Sequence, residues 1–172
     1  MTVGVLLITH NRIGAELLET ATRMLGRCPL AAIAIDHYQK ALSQPVPQVL
    51  KVGAHINLGS LYQAQQQHPA ALAEFAQAVK AAPHFAMAHF NLGLAKRHSG
   101  DLAGAITAYE QAIAIATYFA AAHQNLGVAL FKLGKLPESI QAFQKAVAIY
   151  RQTNPAAAET LLQNISHLGL QI

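Results

Sequence analysis

Three histidines, His55, His89 and His123, recur every 34 residues, and each stands two residues ahead of an asparagine, Asn57, Asn91 or Asn125. A regular series of imidazoles raises the chemistry of a metal site, and a regular series of amides that of a ladder holding a peptide. Distance removes the first. Side chains on neighbouring packed helices lie about 8 to 10 Å apart, whereas zinc takes its nitrogens at about 2 Å. No metal is expected, and the histidines read as ring-shaped fillers, bonded or partly solvated. The amides keep two readings. Each offers one acceptor and two donors, which matches a peptide unit whatever its sequence, or each bonds within its own array. A further histidine, His10, ends the apolar run Val3 to Ile8. An imidazole nitrogen is a competent nucleophile near neutral pH, so a phosphohistidine is the chemistry it could do.

No other pattern suggests catalysis. There is no G-x-S-x-G elbow and no G-x-x-x-x-G-K loop, and the eight acidic residues show no motif pairing. The chain is therefore read as a non-enzyme with no cofactor. Its twelve Lys and Arg give a formal charge of +4 but never form a run, so no nucleic-acid partner is expected. The single Cys28 excludes an internal disulfide framework. The longest apolar runs are too short to span a bilayer, and the opening MTVGVLLITHNR lacks the charge pattern of a signal peptide. A soluble, cytoplasmic protein is expected.

The elements that must carry the asparagines follow from the repeat. HINLG, HFNLG and HQNLG place Gly59, Gly93 and Gly127 in register. Twelve residues later come Ala71, Ala105 and Ser139, then the aromatics Phe75, Tyr109 and Phe143, then Ala78, Ala112 and Ala146. The spacing predicts pairs of helices in which each glycine lets the second helix approach and the aromatic fills the space beside it. Gly100-Asp101 and Gly134-Lys135 mark turns within pairs, where the first repeat has Gln65-Gln66-Gln67-His68.

This pattern resembles the tetratricopeptide repeat, which implies an all-α helix-turn-helix array. Repeats are expected at 52–85, 86–119 and 120–153. A half repeat and loop at 34–51 precede them, with Ala34, Tyr38 and Ala41 in the register of Ala105, Tyr109 and Ala112. Residues 154–172 read as a capping helix and tail, with Ala158, Leu161, Leu162, Ile165 and Leu168 on its apolar side. The H-x-N-L pattern also resembles the asparagine ladder in the tetratricopeptide region of O-linked N-acetylglucosamine transferase. By that resemblance Asn57, Asn91 and Asn125 hold an extended peptide in a groove lined by the first helices, with Phe90, Leu94, Arg97, Val128 and Phe131 beside them. Chaperone-binding relatives clamp a terminal carboxylate with a lysine, but Ile56, Phe90 and Gln124 stand at that position, so no such clamp is expected. The partner class is a protein or peptide, with no membrane contact. Self-association through apolar end faces is a third reading, besides peptide binding and phosphate transfer.

Residues 1–36 depart from the repeat and read as a short β-strand, a loop and an amphipathic helix from about Ile13 to Leu25. They resemble the first strand, helix and second strand of the mannose-family IIA phosphocarrier of the sugar phosphotransferase system. The resemblance implies phosphorylation at His10, although Asn11 replaces the usual glycine and the family's later strands have no counterpart. Ala31 to Asp36 fit either that second strand or the half-repeat helix. Helix is favoured, because two parallel strands alone are marginal.

Overall fold

The computed structural model describes residues 29–45 and 47–170. The expected strand, the Ile13 to Leu25 helix and His10 lie outside the described residues. Within them there are eight α-helices and no strand. They fall in two units, Met1–His84 and Phe85–Ile172. No helix among the described residues is long and apolar enough to cross a membrane.

Unit 1 holds α1 (Pro29–Leu42), α2 (Gln48–Ala64) and α3 (His68–Ala81). Ala31 to Asp36 are therefore helical. Ala31 and Tyr38 bury against Leu58 and Leu61 of α2, with Ala34, Ile35 and Leu42 alongside. Tyr38 packs on α2, and a strand would have sent alternate residues away from that core. Gln48 Nε2 donates to Ala81 O at 3.1 Å and ties the start of α2 to the end of α3.

Unit 2 holds α4 (Ala86–His98), α5 (Leu102–Ile115), α6 (Ala120–Lys132), α7 (Leu136–Thr153) and α8 (Pro155–His167). Consecutive helices pack in order, and the first helices α4 and α6 also touch. One core gathers Ala105, Tyr109 and Ala129, with Phe90, Leu94, Ile106 and Leu126 packed on it. A second joins Phe143, Ala146 and Val147 to Leu161 and Ile165 of α8. Helix α8 thus covers the apolar face of α7. Of its expected apolar side, Ala158, Leu161 and Ile165 are buried, but Leu168 is exposed. It lies past the helix end, just before Gly169 at φ 73°, where the chain has left the helical spacing.

The helix ends explain the punctuation. Asp101 accepts from Gly104 N at 2.8 Å and Asn154 from Ala157 N at 3.2 Å, each capping the helix that follows. Pro69, Pro137 and Pro155 occupy first turns, where a missing N–H costs nothing. Each first helix of a repeat ends in one recurring turn. Gln66, Gly100 and Gly134 adopt left-handed φ values of 61°, 88° and 75°. The next N–H bonds back to the helix, Gln67 to Tyr62 O, Asp101 to Lys96 O and Lys135 to Leu130 O, at 2.8 to 3.0 Å. This is the Schellman termination. In the first repeat it is built on glutamine, a residue that pays for the left-handed conformation.

Glycine serves a different purpose inside the pairs. A Cβ added at Gly59 would meet the Phe75 ring at 2.8 Å, at Gly93 the Tyr109 ring at 2.6 Å, and at Gly127 the Phe143 ring at 2.7 Å. Those separations are below any real contact, so the aromatic rests directly on the backbone of the first helix. Ser139 adds a bond that its alanine counterparts lack, donating to the Gly127 carbonyl at 2.9 Å in the buried interior.

Candidate functional site

All eight residues expected to contact a peptide, Asn57, Phe90, Asn91, Leu94, Arg97, Asn125, Val128 and Phe131, are half-buried. They belong neither to the sealed core nor to the fully solvated surface. Their partners differ sharply. In unit 1, Asn57 Nδ2 donates to Tyr38 Oη at 3.1 Å. Burial raises the Tyr38 pKa, and the amide bond partly offsets that rise. Asn57 is thus bonded within the array, one of the two readings the sequence left open.

Unit 2 contains the other two. Asn125 Nδ2 turns back onto its own helix and donates to Ala121 O at 2.9 Å. Asn91 makes no side-chain hydrogen bond among the described residues. Phe90 lies with its ring centroid 4.8 Å from Phe119 and 6.0 Å from Tyr109, both tilted at 46°. With Leu94 it packs on the Tyr109 core, and Val128 packs on the Phe143 core. These apolar residues therefore spend part of their surface on stability and leave only the remainder for a ligand. Gln124, one residue before Asn125, accepts from Tyr150 Oη at 3.1 Å.

Sequence reasoning missed Tyr109, which it read as a filler of space. Its side chain is fully buried, yet its hydroxyl has no hydrogen-bond partner among the described residues, and neither has Arg97 Nε. The Arg97 guanidinium stands near enough to hold down a phenol pKa that burial otherwise raises, without the geometry of a bond to its Oη. A signal existed in the repeat: position for position, Tyr109 and Asn125 correspond to Tyr38 and Asn57, allowing for the three extra residues in the 44–48 loop.

Two of the repeated histidines have structural duties. His55 Nδ1 pairs with Glu74 Oε2 at 2.7 Å, linking α2 to α3. His123 is buried, and its Nε2 lies 3.0 Å from Thr117 O; with that carbonyl as acceptor the neutral ring carries its proton on Nε2. Burial lowers the His123 pKa, the Thr117 carbonyl partly opposes the shift, and Lys145 adds to it.

A tetratricopeptide-repeat profile matches residues 56–118, and a second profile of the same description matches 120–152. Among solved structures, MamA is similar at 26% identity with a TM-score of 0.65, covering 82% of this chain and 79% of that one. The first TPR of Spaghetti (RPAP3), solved bound to the HSP90 peptide SRMEEVD, aligns at 22% identity with a TM-score of 0.61, covering 69% and 92%. The TPR2B domain of yeast Sti1, solved as a complex with pHsp70, aligns at 18% identity with a TM-score of 0.63, covering 69% and 98%. At those identities the last two speak to the fold alone. No curated protein matches in sequence. The recurring glycine-aromatic pairs and the profile matches agree on one register, and residues 56–118 and 120–152 of this chain are tetratricopeptide repeats.

Proposed function

We propose that this chain is a non-catalytic interaction scaffold whose first helices bind an extended segment of a partner protein. The reading rests on one observation above all. The side chains of α4 and α6 at Phe90, Asn91, Leu94, Arg97, Asn125, Val128 and Phe131 stay half-exposed, while the second helices bury the repeated aromatics Phe75, Tyr109 and Phe143. Surface of mixed amide and apolar character suits a peptide, because amides recognise its backbone and apolar side chains its alternate residues. Two solved arrays of similar fold hold an HSP90 peptide and pHsp70, which supports the same class of partner here.

Within unit 2, Asn91 is the amide free to engage a ligand at once. Asn125 can do so by releasing a bond to its own helix. In unit 1, Asn57 would have to give up Tyr38. Peptide-library binding to the full chain tests this directly. Asn91→Ala with Asn125→Ala should weaken binding by about tenfold, the worth of one net hydrogen bond or slightly more, and the far-ultraviolet helical signal should stay intact. Unchanged affinity in that double variant would sink the ladder.

A further inference from the structure

The first repeat departs from the other two in one set of polar side chains. It has Gln48, Lys51, Glu74 and Lys80 where the second repeat has Ala82, Phe85, Ala108 and Ala114, and the third has Ala116, Phe119, Ala142 and Ala148. Packing requires no polar group at any of these positions, since two repeats do without one. Two of the four ride on added backbone. Helix α2 is 17 residues long against 13 for α4 and for α6, and its extra turn carries Gln48 and Lys51.

Two bonds between α2 and α3 fix the place. Gln48 Nε2 donates to Ala81 O at 3.1 Å, and His55 Nδ1 pairs with Glu74 Oε2 at 2.7 Å. Lys51 lies between Gln48 and His55 on α2, and Gln77 and Lys80 lie between Glu74 and Ala81 on α3, so the two bonds bracket both lysines. Both lysines, with His55 and the two glutamines, line one cleft of about 350 Å³. No aspartate or glutamate lines it, and of the two ion pairs among the described residues neither includes Lys51 or Lys80. Lys51 is half-buried, so water shields its charge only in part. Two ammonium groups in one cleft repel one another, and the Glu74 carboxylate is already engaged by His55.

We propose that this cleft of unit 1 binds a phosphate group. Charge and donor number favour phosphate over a carboxylate. Two ammoniums are balanced by a dianion, and a phosphate monoester carries about −1.5 to −2 charges at pH 7, whereas a carboxylate carries one. Lysine and glutamine side chains offer several N–H donors that need not lie in one plane, which suits three acceptor oxygens better than two. A free phosphate compound and a phosphorylated side chain present the same group, and the test separates them. The cleft shares no residue with the groove of α4 and α6 and stands independently of the peptide-binding reading.

The test is an NMR titration of the full chain with inorganic phosphate at low salt. The backbone resonances of Gln48 to His55 and of Glu74 to Ala81 should shift saturably, and the affinity should fall as sodium chloride rises. Lys51→Gln and Lys80→Ala should each weaken binding by about tenfold, the worth of one hydrogen bond to a charged group. The helical signal should persist, because alanine holds the Lys80 position in both other repeats. Asn91→Ala with Asn125→Ala should leave phosphate binding unchanged, so the cleft and the peptide groove are read separately. End-blocked phosphoserine dodecapeptides that bind tighter than inorganic phosphate would assign the cleft to a phosphorylated segment, and weaker binding would assign it to a free phosphate compound; both results uphold the site. Equal affinity for acetate would overturn the phosphate assignment. Shifts that fail to saturate, or that persist in the double lysine variant, would mean an adventitious ion only and overturn the proposal.

Discussion

Units 1 and 2 place the same two side chains in the same register and use them differently. In unit 1 the Tyr38 hydroxyl and the Asn57 amide bond to each other at 3.1 Å. In unit 2 Tyr109 and Asn125 occupy the corresponding positions, yet Asn125 bonds to Ala121 O and the Tyr109 hydroxyl is unpaired beside Arg97. The comparison teaches that a repeat conserves its packing more strictly than its polar bonding. Aromatic rings lie on glycine backbones in every pair, because a clash there is prohibitive. The hydrogen bonds above them vary, because one amide rotamer can exchange one acceptor for another at little net cost.

The packing half of that comparison carries the largest expected effect. Gly93→Leu drives a side chain into Tyr109, and Gly59→Leu drives one into Phe75. Each should cost about 3 kcal/mol, the upper part of the range for overpacking. Chemical denaturation of both variants checks it, and a loss in one unit only would show that the two glycines are not equivalent.

The polar half predicts an asymmetry. Tyr38→Phe strips Asn57 of its acceptor and should destabilise by about 1 kcal/mol. Tyr109→Phe removes a buried hydroxyl that has no partner and should be neutral or slightly stabilising. Equal losses in the two variants, by thermal or urea unfolding, would erase the distinction between the units.

A smaller gain separates their turns. Gln66 holds the left-handed position that Gly100 and Gly134 hold in unit 2. Gln66→Gly should raise stability by about 0.5 to 1 kcal/mol, because relief of the left-handed strain outweighs the extra freedom glycine has when unfolded. A fall in the urea midpoint would contradict the geometry.

The last effect is a slope with pH. Burial holds the His123 pKa below the ordinary 6.5, so the folded state favours the neutral ring. The stability this supplies is complete above pH 6.5 and is lost as pH falls from there through the folded value. His123→Phe should flatten the wild-type decline in that window, which unfolding curves between pH 5 and 7.5 will show.

Much of the fold was legible before any coordinates. The 34-residue period, the glycine-aromatic pairing and the glycine turns within pairs are local or nearly local, and each has a steric cause that leaves one answer. The Gln65 to His68 segment was legible as a turn but not as a left-handed one, because glutamine gives no sign of it. Leu168 misled, since apolar spacing does not say where a helix stops. Of the candidate site, the positions of Asn57, Asn91 and Asn125 were legible and the destinations of their hydrogens were not.

The sequence by itself determined the stacked helix pairs, because a glycine at one position and a ring sixteen residues on leave a single way to pack. Only the tertiary structure decided that Asn57 reaches Tyr38, that Asn125 returns to Ala121, and that Arg97 Nε and the Tyr109 hydroxyl are buried without a hydrogen bond among the described residues. Those outcomes turn on rotamers and on separations of a few tenths of an ångström between helices, which residue type and spacing do not specify.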